Sequence, residues 1–186
     1  FVYRVELSPV KPSLTVGIPR VQRYGQYRQQ IYVPRGNRFA TVMTVTRNNF
    51  SGPVVFEPGE LPAGVTMVSE EMPDSMNVMP VVFEAAADAP LSGKLVDFRA
   101  RHADPNAKID GGFYNRADFV IAAPGQTLYR WRDVTRLPIA VVDELPFHLE
   151  IVQPKVPLVR NGSMNLKIVA HRKDGFTPPR SVALPY

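Results

Sequence analysis

The feature that most constrains this sequence is an alternation of apolar and polar residues with a period of two, interrupted by clusters of Pro, Gly and Asn. The alternating segments are 1–7, 13–18, 39–47, 53–57, 78–86, 94–101, 117–123, 137–142, 147–152, 164–171 and 180–184. No window places apolar residues at helical spacing over three turns. The 19 prolines agree, because proline breaks helices and is tolerated at turns and strand edges. The sequence therefore predicts an all-β chain arranged as a sandwich or barrel.

The segment 39–47 shows how such a strand divides its two faces. Phe39, Thr41, Met43 and Val45 point to one side, because successive side chains of a strand alternate. The residues between them are smaller or more polar as a set. We therefore expect the first set to face the core.

Two parts of the chain can be aligned with each other, which indicates an internal repeat. The stretch "VPRGNRFATVMTVTRNNFSGPVVFE" matches "LVRNGSMNLKIVAHRKDGFTPPRSVAL". The matched pairs are Arg35 with Arg160, Arg47 with Arg172, Phe50 with Phe176 and, upstream, Leu14 with Leu149. The alignment predicts one module and the beginning of a second copy of it.

The repeat predicts a division into three parts. Residues 1–12 are predicted to be the last strand of a preceding β-domain. Residues 13–145 are predicted to be one complete module, with a linker around residues 124–146. Residues 146–186 are predicted to be the first strands of a second, truncated module.

The order of several motifs resembles a known class of module. A glycine turn, a strand ending in Arg, "NNF" or "KDGF", then "LPAGV", "VVFEAAADAP" and "DFRARHAD" is similar to the tandem bacterial immunoglobulin-like β-sandwich modules of large secreted and surface proteins. The likeness is to the planctomycete type, in which such modules follow a pre-peptidase C-terminal (PPC-like) domain. The segment "FVYRVELSP" resembles the last strand of that domain. The disulfide of antibody domains is excluded, because the chain has no cysteine. The resemblance implies an extracytoplasmic, non-enzymatic module whose partners are neighbouring domains of the same chain.

A basic and aromatic strip at residues 19–38 is the main candidate for ligand binding. It contains Arg20, Arg23, Tyr24, Tyr27, Arg28 and Tyr32. Arginine binds carboxylate or phosphate through its planar fork, and tyrosine stacks on flat ligands, so the strip could bind a polysaccharide or a cell-surface protein. The alternative is that tyrosine is here a favoured strand residue, with arginines on the exposed face. Nucleic acid is not the partner we predict.

A polar loop at residues 102–112 offers oxygen ligands of the kind that calcium prefers. Asp104, Asn106 and Asp110 are the candidate ligands. The spacing does not match an EF-hand, and turn geometry explains the same residues. Apart from calcium, we predict no cofactor.

No arrangement of residues predicts catalysis. There is no cysteine nucleophile and no G-x-S-x-G motif, and the three histidines, His102, His148 and His171, lie in unrelated segments. Glu70 and Glu71 are adjacent, so on a strand they would point to opposite faces. We predict that the protein is not an enzyme.

Two further features bear on partners. Trp131 is predicted to pack between modules, with a sugar platform as the alternative. No apolar run approaches the ~20 residues of a membrane span, so no membrane insertion is predicted. The sequence predicts a spacer or adhesion stalk of a secreted or surface protein, with the binding module as the alternative function.

Overall fold

The computed structural model describes residues 3–19, 21–22, 25–26, 29–121, 128–157 and 159–176. Over these residues the protein is all-β, as predicted, with one short 3-10 helix, η1. The elements are β1 (Ser13–Gly17), β2 (Val21–Gln22), β3 (Gly25–Gln26), β4 (Ile31–Pro34), β5 (Arg38–Asn48), β6 (Val54–Pro58), β7 (Val65–Val68), β8 (Val78–Ala85), β9 (Ser92–Val96), β10 (Phe98–His102), η1 (Pro105–Ala107), β11 (Asp110–Gly112), β12 (Asn115–Ile121), β13 (Leu128–Val134), β14 (Leu137–Val142), β15 (Phe147–Val152) and β16 (Lys167–Arg172). None of the described helices is long and apolar enough to cross a membrane.

The chain forms two compact units, Phe1–Asp143 and Glu144–Tyr186. In the first unit, β5 pairs antiparallel with β1 on one side and with β8 on the other, and β7 completes this sheet. The predicted alternation along β5 is confirmed, because Met43 and Val45 are buried and Phe39 packs against the core.

Two three-stranded sheets provide the remaining walls of the first unit. Their strand orders are β11-β10-β6 and β4-β14-β9, and β14 pairs parallel with β4 but antiparallel with β9. The first of these sheets adjoins β1, since the Tyr114 amide donates to the Val16 carbonyl at 2.8 Å. This approach is so close that a Cβ at Gly111 would clash with the Leu14 carbonyl.

Apolar side chains from all three sheets meet in one core. Its largest fully buried members include Phe83, Phe98, Met43, Leu137 and Ile139. Asn115 is the one polar residue buried among the described part of the chain. Sheets that enclose a continuous apolar core in this way are compatible with a β-sandwich.

Two predictions about individual segments are wrong. Residues 3–7 form no strand and are exposed. The predicted strand 94–101 is two strands, β9 and β10, separated at Asp97, and each has a different partner. The region predicted to contain a linker, residues 124–146, includes β14, the strand predicted at 137–142, whose Leu137 is buried in the core. Predicted strand 180–184 lies outside the described residues.

The chain enters and leaves the first unit at opposite ends of β5. At the entry, Ser13 pairs with Asn48, the last residue of β5. At the exit, the Val142 carbonyl accepts from the Arg35 amide at 3.1 Å, three residues before β5 begins. The 11 residues of β5 span about 33 Å at about 3.3 Å per residue, which separates the two ends.

Among its described residues, the second unit contains one antiparallel pair, β15 with β16. Phe147 is opposite Arg172, whereas Leu14 is opposite Arg47 in the first unit. A repeat that keeps this register would match Leu14 with Phe147 instead of Leu149, a shift of two residues from the sequence alignment. The Phe147 ring stacks on Phe176, with ring centroids 6.0 Å apart.

Candidate functional site

The basic and aromatic strip is described only in part. Arg20, Arg23, Tyr24, Tyr27 and Arg28 lie outside the described residues, so their role as a ligand surface stays a prediction.

Tyr32, the remaining residue of the strip, lies on β4 with 38% of its surface exposed. Its register partner Ala140 also pairs with Gly93, so two small residues lie beside the tyrosine on the outer face of this sheet. A shallow groove of about 380 Å³ follows this face and includes Gln30, whose Oε1 accepts from the Tyr32 hydroxyl at 2.8 Å. The groove can accept a flat apolar surface but presents few polar groups.

The candidate calcium residues are placed in two different arrangements. The Asp104 carboxylate caps η1 by accepting from the Asn106 backbone amide at 2.9 Å and its side-chain amide at 3.0 Å. Asp110 lies on β11 and forms an ion pair with Arg99. No group of three or more His, Cys, Asp or Glu side chains that could hold a metal occurs in the described ranges. Calcium binding stays a prediction.

Asp104 provides a test of the turn interpretation. We expect Asp104→Ala to lower the free energy of unfolding by about 1 kcal/mol, because the backbone and side-chain amides of Asn106 in η1 lose their acceptor. The loss should be the same in millimolar calcium and in a chelator when measured by urea denaturation. A rise in wild-type stability with calcium that the variant lacks would contradict the turn interpretation and support the metal site.

Two histidines that are distant in sequence meet in the second unit. His148 and His171 are register partners on β15 and β16, and their rings stack with centroids 4.5 Å apart. The Glu150 carboxylate is 2.7 Å from His171 Nε2. Both histidines are exposed, and strand pairing brings together two residues that lie in separate segments of the sequence.

The acidic segment that contains Glu70 and Glu71 takes part in a contact between two loops. Both glutamates are exposed. Asp74, four residues after Glu70, accepts from the Gly52 amide at 2.6 Å and connects two loops. Its Oδ1 also lies 4.0 Å from Nε of Arg47, whose side chain is only 6% exposed.

A polar cavity of about 480 Å³ lies between β1, the β10–β11 pair and the turn from β13 to β14. Its polar lining residues are Thr15, Asp97, Arg99, Tyr114, Thr135 and Arg136. These residues come from distant parts of the sequence, from Thr15 to Arg136, so only the fold brings them together. No local motif indicated this cavity.

The β12–β13 hairpin extends from this cavity. Its register places Arg116 opposite Asp133 and Asp118 opposite Trp131, so these four residues share one face. The Tyr114 hydroxyl donates to Asp133 Oδ1 at 3.0 Å, which connects this face with the cavity. The Arg116 guanidinium carbon lies 4.9 Å from the centre of the Trp131 ring, which remains 41% exposed.

Both paired arginines of this region are firmly cationic. The hydrogen bond with Asp110 raises the pKa of Arg99 above its ordinary value, against a smaller effect of desolvation. The pKa of Arg116 is raised by its side-chain interaction with Tyr114 and, to a smaller extent, by Asp133. Elsewhere on the surface, the hydrogen bond from Lys94 lowers the pKa of Glu60. Positive charge at Arg99 and Arg116 is therefore permanent in the folded protein.

Comparisons with protein families, with curated proteins and with solved structures find no match to this chain.

Proposed function

We propose that the first unit is a spacer module of the tandem immunoglobulin-like β-sandwich kind, and that it serves as a structural element of a secreted or surface protein. In this proposal, the second unit is the start of another copy. The module transmits tension along the chain and performs no catalysis.

The single observation that carries the proposal is the position of the entry and exit strands. The chain reaches β1 at one end of β5 and leaves β14 at the other end, so the two connections of the module are separated by about the length of β5. Force on the two ends would act along β1 and β14. The hydrogen bonds between paired strands are perpendicular to the strands. A force along the strands therefore shears these hydrogen bonds simultaneously and does not break them one at a time.

The backbone conformations of the two aligned stretches support the tandem part of the proposal. Gly36 and Asn161, each directly after an aligned arginine, have positive φ angles of 64° and 62°. Asn49 and Gly175, each directly before an aligned phenylalanine, have φ angles of 59° and 80°. Left-handed residues at two matched positions are unusual, because most residues avoid this conformation. The exchange of Gly and Asn between the copies agrees with this, since both tolerate it.

Force spectroscopy on the 186-residue chain, held at its two termini, tests the spacer function. We expect one unfolding peak that increases the length of the chain by about 400 Å. This increase is the extended length of the residues from Ser13 to Val142 minus the distance between these two residues in the folded unit. The β15–β16 pair should yield without a peak of its own and serves as an internal control, because isolated two-stranded pairs are only marginally stable.

Gradual extension of the first unit without a peak would contradict the spacer proposal. Turnover of a substrate by the folded chain would contradict its non-catalytic part.

A further inference from the structure

The polar cavity beside β1 contains a positive charge that has no partner among the described residues. Arg136 is exposed, and its side chain makes no hydrogen bond or ion pair with the residues that the structure describes. Arg99, across the cavity, is already paired with Asp110. An anionic group entering the cavity would therefore bind chiefly to Arg136, through a guanidinium whose fork matches a carboxylate.

Aromatic surface continues from this cavity along the hairpin. Tyr114 lines the cavity and is 44% exposed, and Trp131 lies further along the same face. Thr135, which lines the cavity, is four residues from Trp131, a distance of about 13 Å along the strand direction of β13. A surface of this length fits a short oligosaccharide and is too long for a single sugar. Exposed aromatic rings with a polar rim are suited to sugars, whose ring faces are apolar and whose edges carry hydroxyl groups.

The carboxylates of this surface argue against a densely charged polyanion. Asp97 lies in the cavity and Asp118 and Asp133 lie on the hairpin face, so acidic and basic groups alternate along it. A chain with a charge on every unit would meet repulsion at these positions. A chain with hydroxyl groups between its charges would instead find acceptors there.

We propose that the surface from Arg136 to Trp131 binds a polysaccharide in which carboxylate-bearing sugars alternate with neutral ones. The carboxylate of one sugar binds Arg136, and a ring further along the oligosaccharide lies against the part of Trp131 that Arg116 leaves exposed. Hydroxyl groups of the sugars between them bind Asp97 and Thr15. Trp131 then acts as a sugar platform, the alternative role that the sequence left open. This binding adds to the spacer function and does not depend on it.

Calorimetric titration of the 186-residue protein with a hyaluronan hexasaccharide tests the proposal, with the carboxyl-reduced hexasaccharide as the matched ligand. We expect saturable binding that weakens about tenfold in Arg136→Ala and in Trp131→Ala, as loss of a charged hydrogen bond or an aromatic contact predicts. The wild type should bind the carboxyl-reduced hexasaccharide about tenfold more weakly than the unreduced one. Arg136→Ala should bind the two hexasaccharides with nearly equal affinity.

Arg132→Ala is the matched control, because Arg132 is exposed on the same strand but pairs with Ala117 on the opposite face. It should bind as the wild type does. Equal weakening by Arg132→Ala would mean that only the net charge of +5 attracts the sugar, and would overturn the site.

Three other outcomes would also overturn it: no binding of the hexasaccharide, equal binding of both hexasaccharides, or tighter binding of single-stranded DNA that depends on the same two residues. Thermal melting of each variant establishes folding. Should Trp131→Ala not fold, Arg136→Ala with the two sugars decides the question alone.

Discussion

Replacing Phe98 by alanine should lower the free energy of unfolding of the first unit by about 3–5 kcal/mol, the usual cost of removing a buried aromatic side chain. Phe98 on β10 is fully buried, and its ring centroid lies 5.9 Å from that of Phe56 on the neighbouring strand. The backbone of Phe98 is fixed on one side by pairing with β6 and on the other by the Phe113 amide, which donates to its carbonyl at 2.8 Å. The cavity left by the ring would therefore collapse little.

Urea denaturation, followed through the fluorescence of Trp131, measures this loss. Trp131 is the only tryptophan and belongs to the first unit, so it reports that unit alone. Phe119→Ala is the control, since Phe119 is 67% exposed and its replacement should change stability by less than about 0.5 kcal/mol. A loss below about 1 kcal/mol for Phe98→Ala would contradict the burial of the Phe98 ring against Phe56 in the core.

The period of two predicts strands well where one face is buried. The bounds of β14 and β15 were predicted exactly as they occur, and Met43 was correctly assigned to the core. The alternation fails where its physical cause is absent. Residues 3–7 alternate apolar and polar residues but have no partner strand in the described structure, so the pattern alone does not form a strand.

Some strands could not be predicted because they lack the alternation altogether. Strand β11 contains two glycines and exists because Gly111 lets the backbone approach β1 closely. Strand β4 pairs in parallel with β14, more than 100 residues later, and no local signal specifies a parallel partner. Long-range pairing is decided by the packing of the whole unit.

The candidate sites show the same limit. Composition drew attention to the loop with Asp104 and to the strip that includes Tyr32, because their residues are adjacent in sequence. The polar cavity was missed, since Thr15, Arg99 and Arg136 come from different strands and turns. The pair His148 and His171 became visible only through the register of β15 and β16.

Arg47 is the second residue whose loss should be costly, because it connects two loops from inside the protein. The guanidinium donates to the carbonyl oxygens of Gly52 (3.0 Å), Met76 (2.8 Å), Met72 (3.5 Å) and Pro73 (3.3 Å), and to Asn77 Oδ1 (3.1 Å). Its side chain is 6% exposed, so water cannot replace these bonds in the folded state. Sequence alignment identified Arg47 only as a repeated residue.

We expect Arg47→Ala to lower the free energy of unfolding by about 2–4 kcal/mol, because several carbonyl groups lose their donor and Asp74 loses its nearest cation. Arg47→Lys should recover only part of this, since one ammonium group cannot reach both loops as the guanidinium does. Arg172→Ala is the matched control: Arg172 aligns with Arg47 but is exposed, so its removal should cost less than about 0.5 kcal/mol. Full stability of the lysine variant in urea denaturation would show that charge alone, and not the shape of the guanidinium, holds the two loops together.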